Sequence, residues 1–176
     1  MFVIYGSSRE KSNSEQLAKI MIDGLETEEV HLRDKNIQPI TDMRHDPQGF
    51  SNVGDDYYEI LHRMLSHEKI VFVTPLYWYG MSGLMKNFID RFSETLRDST
   101  VNFREQMKKK KMYVVIVGGD NPKLKALPLV MQFTHIFDFF GASFEGYLIG
   151  KARTPGEILE DKEAVAMAKR FNSGLL

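Results

Sequence analysis

The sequence predicts one α/β domain built on a parallel sheet, and three observations carry that prediction. Short apolar strand patterns alternate with amphipathic helical stretches five times along the 176 residues, the signature of right-handed βαβ crossovers. The stretch 69–74 contains the unbroken apolar run Ile70-Val71-Phe72-Val73, as suits a strand covered on both faces. Three loops rich in hydroxyls, rings or glycines, at 6–13, 75–82 and 118–122, each follow a strand. In open α/β sheets that edge is where ligands bind.

Each element has its own justification. Val3-Ile4-Tyr5 is a short apolar strand, and a helix begins at Ser14 with Leu17, Ala18, Ile20, Met21 and Leu25 on one face. Residues 29–32 read as a second strand. Residues 33–55 are polar, lack a period and are broken by Pro39, Pro47, Gly49 and Gly54, so they read as a loop over the sheet rim. Asp55-Asp56 can cap a helix over 57–67, with Ile60, Leu61, Met64 and Leu65 as its buried stripe. After the strand at 69–74, Pro75 acts as a stop, and a helix fits 83–96 with Leu84, Met85, Phe88, Ile89 and Phe92 inward. The basic run 108–111 reads as the solvated start of a strand at 112–117. A helix fits 124–140, closed by Gly141, and a last strand fits 142–149. Thr154, Pro155 and Glu157 then form a capping box for a final helix to about Asn172.

Composition narrows the function. With 43% apolar and 27% charged residues the chain can bury a full core without staples. A net charge of -1 leaves no footprint for nucleic acid. The absence of cysteine excludes disulfides, thiolate metal sites and cysteine nucleophiles, and agrees with a cytoplasmic location. No signal-peptide pattern opens the chain, and no apolar run reaches the ~18 residues a membrane helix needs. His31, His45, His62, His67 and His135 show no zinc spacing, so no metal is expected.

The first loop, Gly6-Ser7-Ser8-Arg9-Glu10-Lys11-Ser12-Asn13-Ser14, has two open readings. Ser12 to Ser14 suit a helix N-cap. The same residues, with Ser7 and Arg9, suit a phosphate site, because a helix N-terminus offers free N–H groups at the positive end of its dipole. Neither G-x-x-x-x-G-K-[ST] nor G-x-G-x-x-G is present. The second loop, Thr74 to Gly83, carries Tyr77, Trp78 and Tyr79 in succession, and Trp78 is the sole tryptophan. Exposed rings between Pro75 and Gly80 suit a planar ligand, while the plainer reading has one or two of them padding the core or an interface. The third loop, with Gly118, Gly119 and Asp120, offers backbone donors with little obstruction, or is a plain turn. Together the three suit a mononucleotide with a large flat ring.

Residues 6–14, with Thr74-Pro75-Leu76-Tyr77-Trp78, Ser82, Lys86 and Ile89-Asp90-Arg91, resemble the two motifs of the NADPH-dependent FMN reductase family, of flavodoxin-like fold. The resemblance runs in order across nearly the whole chain. It implies a single domain over 1–176, a three-layer sandwich with sheet order 2-1-3-4-5, bound FMN, and NADPH or NADH as electron donor to a quinone, flavin or similar acceptor. It places Ser7, Arg9, Ser12, Asn13 and Ser14 on the FMN phosphate. Pro75, Leu76, Tyr77, Trp78, Tyr79 and Gly80 line the ring, and Gly118, Gly119 and Asp120 close its other side. No protein acid or base is required, since the flavin carries the chemistry. One branch of the family holds an iron–sulfur cluster, and the lack of cysteine marks this chain as similar to the cluster-free branch.

Alternatives to an enzyme are an electron carrier like flavodoxin and a flavin-binding docking module. Flavodoxins are strongly acidic, which a net charge of -1 does not match. An ion pair between Lys86 and Asp90 is expected, with Arg91 gripping a neighbouring helix or subunit. Phe133, Ile136, Phe137, Phe139 and Phe140 read first as core, with a subunit interface as the alternative. A homodimer or homotetramer is expected, with Phe88, Phe92 and Leu96 supplying apolar surface to a partner near the flavin.

Overall fold

The computed structural model describes residues 1–51 and 53–175. Its five strands are β1 (Phe2–Tyr5), β2 (Glu28–His31), β3 (Lys69–Pro75), β4 (Lys111–Gly118) and β5 (Ser143–Lys151). They form one parallel sheet in the order β2-β1-β3-β4-β5, as the alternation and the resemblance predicted. Successive strand side chains point to opposite faces. Phe2, Ile4, Ile70, Phe72, Val114 and Ile116 therefore enter one core, and Val3, Tyr5, Val71, Val73, Val115 and Val117 the other. Helices α1 (Asn13–Met21) and α8 (Lys162–Leu175) cover the second face. Helices α2 (Tyr57–Leu65), α3 (Gly83–Asp90) and α7 (Leu127–Phe140) cover the first. That produces the flavodoxin-like sandwich.

Several local expectations change. Glu28 opens β2, and Leu32 leaves the strand to start a 3₁₀ turn, Leu32–Asp34. Pro75 is the last residue of β3, not its stop, and Leu76 N still donates to Val117 O at 2.8 Å. The helix expected over 83–96 divides at Arg91 into α3 and α4 (Phe92–Thr95). A short α5 (Phe103–Met107), preceded by Asn102 at φ 48°, had no clear periodic signal. The helix expected from Leu124 is α6 (Pro122–Lys125) followed by α7, which begins beside Pro128. Gly141 does close α7, at φ 70°. Only half of the capping box at Thr154 forms: Glu157 accepts from the Thr154 amide at 2.7 Å and from its hydroxyl at 3.0 Å, but that hydroxyl caps no helical amide. It opens only a 3₁₀ turn, because Gly156 sits at φ 83°, outside helical space. Asp161 then accepts from Ala164 N at 3.1 Å and starts α8.

Two charged residues are buried, Lys110 where the sequence suggested a solvated strand start and Arg91 where it suggested a grip on a neighbouring helix or subunit. Lys110, in the basic run, donates its ammonium to the Leu65 carbonyl, and burial pulls its pKa down. Arg91 is 2% exposed and grips its own subunit, not another. It bonds Asp55 at 2.7 Å, Glu94 at 3.1 Å and Gln38 O at 3.2 Å, and stacks over Tyr57 at 4.5 Å. Phe88 and Phe92 also pack inside, so of the three residues assigned to a partner only Leu96 is exposed. Phe133, Phe137 and Phe140 are core, whereas Phe139 is 54% exposed. The pair Lys86–Asp90 forms on the surface at 2.6 Å, as expected.

These two ion pairs should respond differently to mutation. Arg91→Met strands two buried carboxylates and is expected to cost roughly 3–5 kcal/mol. Lys86→Ala is expected to cost less than about 0.5 kcal/mol. Burial raises the Asp55 pKa, but the Arg91 bond and the Gln38 and Tyr57 amides more than offset it, leaving the carboxyl below its ordinary value. Its stabilisation is therefore full above the unfolded value of about 3.9 and lost as pH falls through the depressed one. Urea titrations should show the gap between wild type and Arg91→Met narrowing as pH falls, first above pH ~4, where the buried unpaired Asp55 takes a proton, and then below it, where wild type loses its own pair.

Candidate functional site

At the carboxyl ends of the strands the ladder stops, and buried hydroxyls hold the loops. Gly6 N still donates to Val73 O at 2.8 Å. A Cβ at Gly6 would lie 2.8 Å from Ser82 Oγ, so only glycine fits. Ser82 Oγ donates to Gly6 O at 2.5 Å and accepts from Met85 N at 3.2 Å, capping α3. The Ser82 amide donates to the buried Thr74 hydroxyl at 3.0 Å. The first and second loops are thus tied together beneath the surface.

In the first loop, Ser7 Oγ accepts from Arg9 N at 3.1 Å and shapes the bend. Ser12 Oγ accepts from Glu15 N at 3.3 Å as the N-cap of α1 and lies 3.2 Å from Ser14 Oγ. Both readings of this loop hold geometrically, since the capping residue also lines a cavity. The amides of Asn13 and Ser14, in the first turn, have no acceptor among the described residues. The Asn13 side chain differs from expectation. Its Nδ2 donates to Thr154 O at 2.9 Å, and its Oδ1 accepts from Gly156 N at 2.9 Å. One of its two Nδ2 donors and its Oδ1 join α1 to the loop after β5, which leaves the backbone amide and the second Nδ2 donor for a ligand.

The second loop is a tight hairpin. Tyr77 and Gly80 exchange both backbone bonds at 3.0 Å around Trp78 and Tyr79. Trp78 lies at φ 48° and Tyr79 at φ 64°, where Asn-Gly is the usual pair. This turn aims the rings outward: Trp78 is 96% exposed, against 48% for Tyr77 and 45% for Tyr79. The amides of Tyr77 and Gly80 are consumed by the turn, while those of Trp78 and Tyr79 have no acceptor among the described residues. Tyr79 OH donates to Asp120 at 2.9 Å, and Lys125 bonds the same carboxylate. Those two partners hold Asp120 below the usual carboxylate pKa.

The third loop packs so closely that side chains at its glycines would collide. A Cβ at Gly118 would meet Leu76 at 3.0 Å, and one at Gly119 would meet Arg153 Cγ at 2.5 Å. Two cavities open between the loops. One of about 340 Å³ is lined by Ser7, Arg9, Ser12, Asn13 and Ser14 on one side, and by Pro75, Leu76, Tyr77, Gly118 and Gly119 on the other. The next, of about 320 Å³, is lined by Leu76, Trp78, Tyr79, Gly119, Asp120 and Arg153. Leu76, Gly119 and Arg153 line both and join them. A larger hollow of about 610 Å³, walled by Phe92, Leu96, Ile136 and Phe139, includes none of the strand-end loops.

Among the predicted site residues, Gly80 alone lines neither cavity. Sequence reasoning missed Val117, Ala152 and Arg153. The last two follow the fifth strand, so the strand-end rule that found the other loops could have found them. The donor set suits a phosphate: free first-turn amides, the hydroxyls of Ser7, Ser12 and Ser14, and Arg9 at the mouth. The adjoining cavity, flanked by Trp78 and Tyr79, suits a flat ring. Among the described residues no group of three or more potential metal ligands occurs, and no helix is long and apolar enough to cross a membrane.

Comparison with known proteins agrees with this geometry. Residues 1–145 match the family model described as NADPH-dependent FMN reductase. The chain is 48% identical over 170 residues, 96% of its length and 94% of the relative's, to Bacillus subtilis YwqN, named as a candidate NAD(P)H-dependent FMN-containing oxidoreductase. A solved Bacillus subtilis structure, described as a Trp repressor binding protein, superposes with a TM-score of 0.83 at 44% identity, covering 97% of this chain and 98% of that one. An iron–sulfur flavoprotein of Archaeoglobus fulgidus is 35% identical over 68 residues, 39% of this chain and 34% of that protein.

Two substitutions separate scaffold from site. Asn13→Ala removes both bonds to the loop after β5 and is expected to lower stability by roughly 1–3 kcal/mol, with faster hydrogen exchange at the Gly156 amide. Replacing Trp78-Tyr79 by Asn-Gly relieves the left-handed strain and is expected to raise stability by about 1–2 kcal/mol. Denaturant midpoints at constant m-value would check both signs.

Proposed function

Because the chain belongs to the NADPH-dependent FMN reductase family, we propose that it is an FMN-dependent NAD(P)H oxidoreductase that reduces a small-molecule acceptor. The observation that carries this reading is the junction of a donor-lined cavity with an aromatic-walled one at Leu76, Gly119 and Arg153. Bound FMN would supply two-electron transfer between a nicotinamide and the acceptor, and the protein needs no acid or base of its own.

Each loop then has a task. The Asn13 and Ser14 amides, with the Ser7, Ser12 and Ser14 hydroxyls, hold the phosphate, and Arg9 adds charge. Pro75, Leu76 and Tyr77 form the floor beside it. The outward rings of Trp78 and Tyr79 wall the flat group, and the turn's two free amides can donate to its edge. Gly118 and Gly119 border the group from the opposite side, and each is a glycine because a methyl there would strike Leu76 or Arg153. Asp120 does not face the ligand as a free anion; it pins Tyr79 through its hydroxyl.

A quinone or a free flavin suits the open, aromatic mouth as acceptor. The lack of cysteine suits a cytoplasmic setting. A homodimer or homotetramer would cover Trp78 and the exposed apolar residues Leu127, Met131 and Phe139 of α7. With a net charge of -1, an acidic carrier is disfavoured.

The test is spectroscopic. Protein reconstituted with FMN should show bound-flavin bands that bleach when NADPH or NADH is added without oxygen, and recover on adding a quinone. Bands that persist with both donors reject the reductase. Sedimentation at micromolar concentration should give an oligomer; an active species of 20.3 kDa would reject the assembly.

A further inference from the structure

The loop after β5 is outside both sequence motifs, yet it delivers a cation to the junction of the two cavities. We infer that Arg153 is a cofactor-positioning and potential-setting residue, whose guanidinium faces the flavin ring and favours its reduced, more negative form. This rests on the functional reading above and adds a residue to it.

Four observations fix the placement. Arg153 Nε donates to Gly119 O at 2.9 Å, which anchors the guanidinium on the third loop. The Arg153 amide donates to Glu157 at 2.7 Å, and the next residue's carbonyl is held by Asn13 at 2.9 Å. The side chain lies so close to Gly119 that a Cβ there would stand 2.5 Å from Arg153 Cγ. Arg153 lines the donor-rich cavity and the aromatic-walled cavity alike, and is the sole cation lining the latter. Nε is spent, and the two Nη groups are bonded to nothing among the described residues.

The chemistry follows from charge. The phosphate carries the same charge whether the ring is oxidised or reduced, so a cation bound to it would favour both states equally. A cation beside the ring favours the state with more negative charge there. The donors already gathered around α1 serve the phosphate, and Arg153, which lines their cavity too, also reaches the outer one with Trp78, Tyr79 and Asp120, where those donors are absent. Asp120 feels the Arg153 charge, but its carboxylate bonds Tyr79 and Lys125, and it forms no ion pair with Arg153.

The test compares wild type with Arg153→Gln and Arg153→Lys, each as purified holoprotein. FMN affinity in the oxidised state and the two-electron midpoint potential are measured together, with apo thermal melts as a folding control. The expected result is that Arg153→Gln weakens binding of the reduced flavin about tenfold more than that of the oxidised flavin. Such a ratio lowers the potential by ~30 mV for a two-electron couple. Arg153→Lys, which keeps the charge, should recover most of that shift. Gly119→Ala, which pushes the side chain aside but retains its charge, should lower the potential in the same direction. An unchanged potential in Arg153→Gln overturns the inference, whether oxidised FMN affinity falls or not, because the cation would then serve the phosphate or the loop. If wild type itself takes up no FMN, the functional reading fails and this inference with it.

Discussion

The site depends on one buried hydrogen bond, from the Ser82 hydroxyl to the Gly6 carbonyl. Where parallel strands end, backbone groups lose their ladder partners, and inside a protein each must find another. Ser82 answers for both sides of the gap. It satisfies the carbonyl that begins the first loop, caps α3 at the end of the second, and receives its own orientation from Thr74. Gly6 is the complement of that arrangement, since any side chain there would occupy the hydroxyl's place. Asn13 performs the corresponding task at the other end of the site, joining segments 141 and 143 residues apart in sequence. Polar side chains that look like ligand donors are therefore partly mortar, and the ligand is left mainly with backbone amides and hydroxyl groups.

The aromatic hairpin shows the opposite bargain. Trp78 and Tyr79 occupy a backbone region that disfavours bulky side chains. The turn persists because Tyr77 and Gly80 exchange two bonds across it and Tyr79 is tethered to Asp120. Nothing in the core benefits from these rings, which project into solvent beside the cavity. Strain carried by residues at a cavity mouth accords with a binding role more than with a packing one.

The architecture was legible because strand and helix patterns alternate five times and the unbroken apolar run at Ile70–Val73 suits a strand covered on both faces. The three loops were legible because hydroxyls, rings and glycines follow strands at 6–13, 75–82 and 118–122. What escaped was decided by long-range partners. Arg91 divides a helix pattern that otherwise runs on, and only its burial against Asp55 and Glu94 reveals why it is there. The Thr154 capping box signals a helix, but the left-handed Gly156 ends that start within one turn. Asn13 reads as a donor until its partners across the fold are known. Arg153 carried no local motif, and its importance comes from β5 ending beside β4, where Gly119 waits.

The neck of the segment between β2 and α2 has a consequence of its own. Asn36 and Gln38 donate their amides to Asp56 and Asp55 at 2.7 and 2.8 Å, and Asp56 N returns a bond to Asn36 O at 2.9 Å. With Arg91 locked onto Asp55, the chain leaves and re-enters the fold through a closed collar. The collar thus holds both ends of the segment by bonds of its own, while residues 44–50 lie against the helices beside Tyr58, Glu94 and Arg97. Lengthening such a segment adds only about 0.6 kcal/mol of closure entropy per doubling. Descendants of this scaffold can accordingly trade one insert for another, changing what gathers at the rim while the collar, the core and the cofactor loops stay as they are.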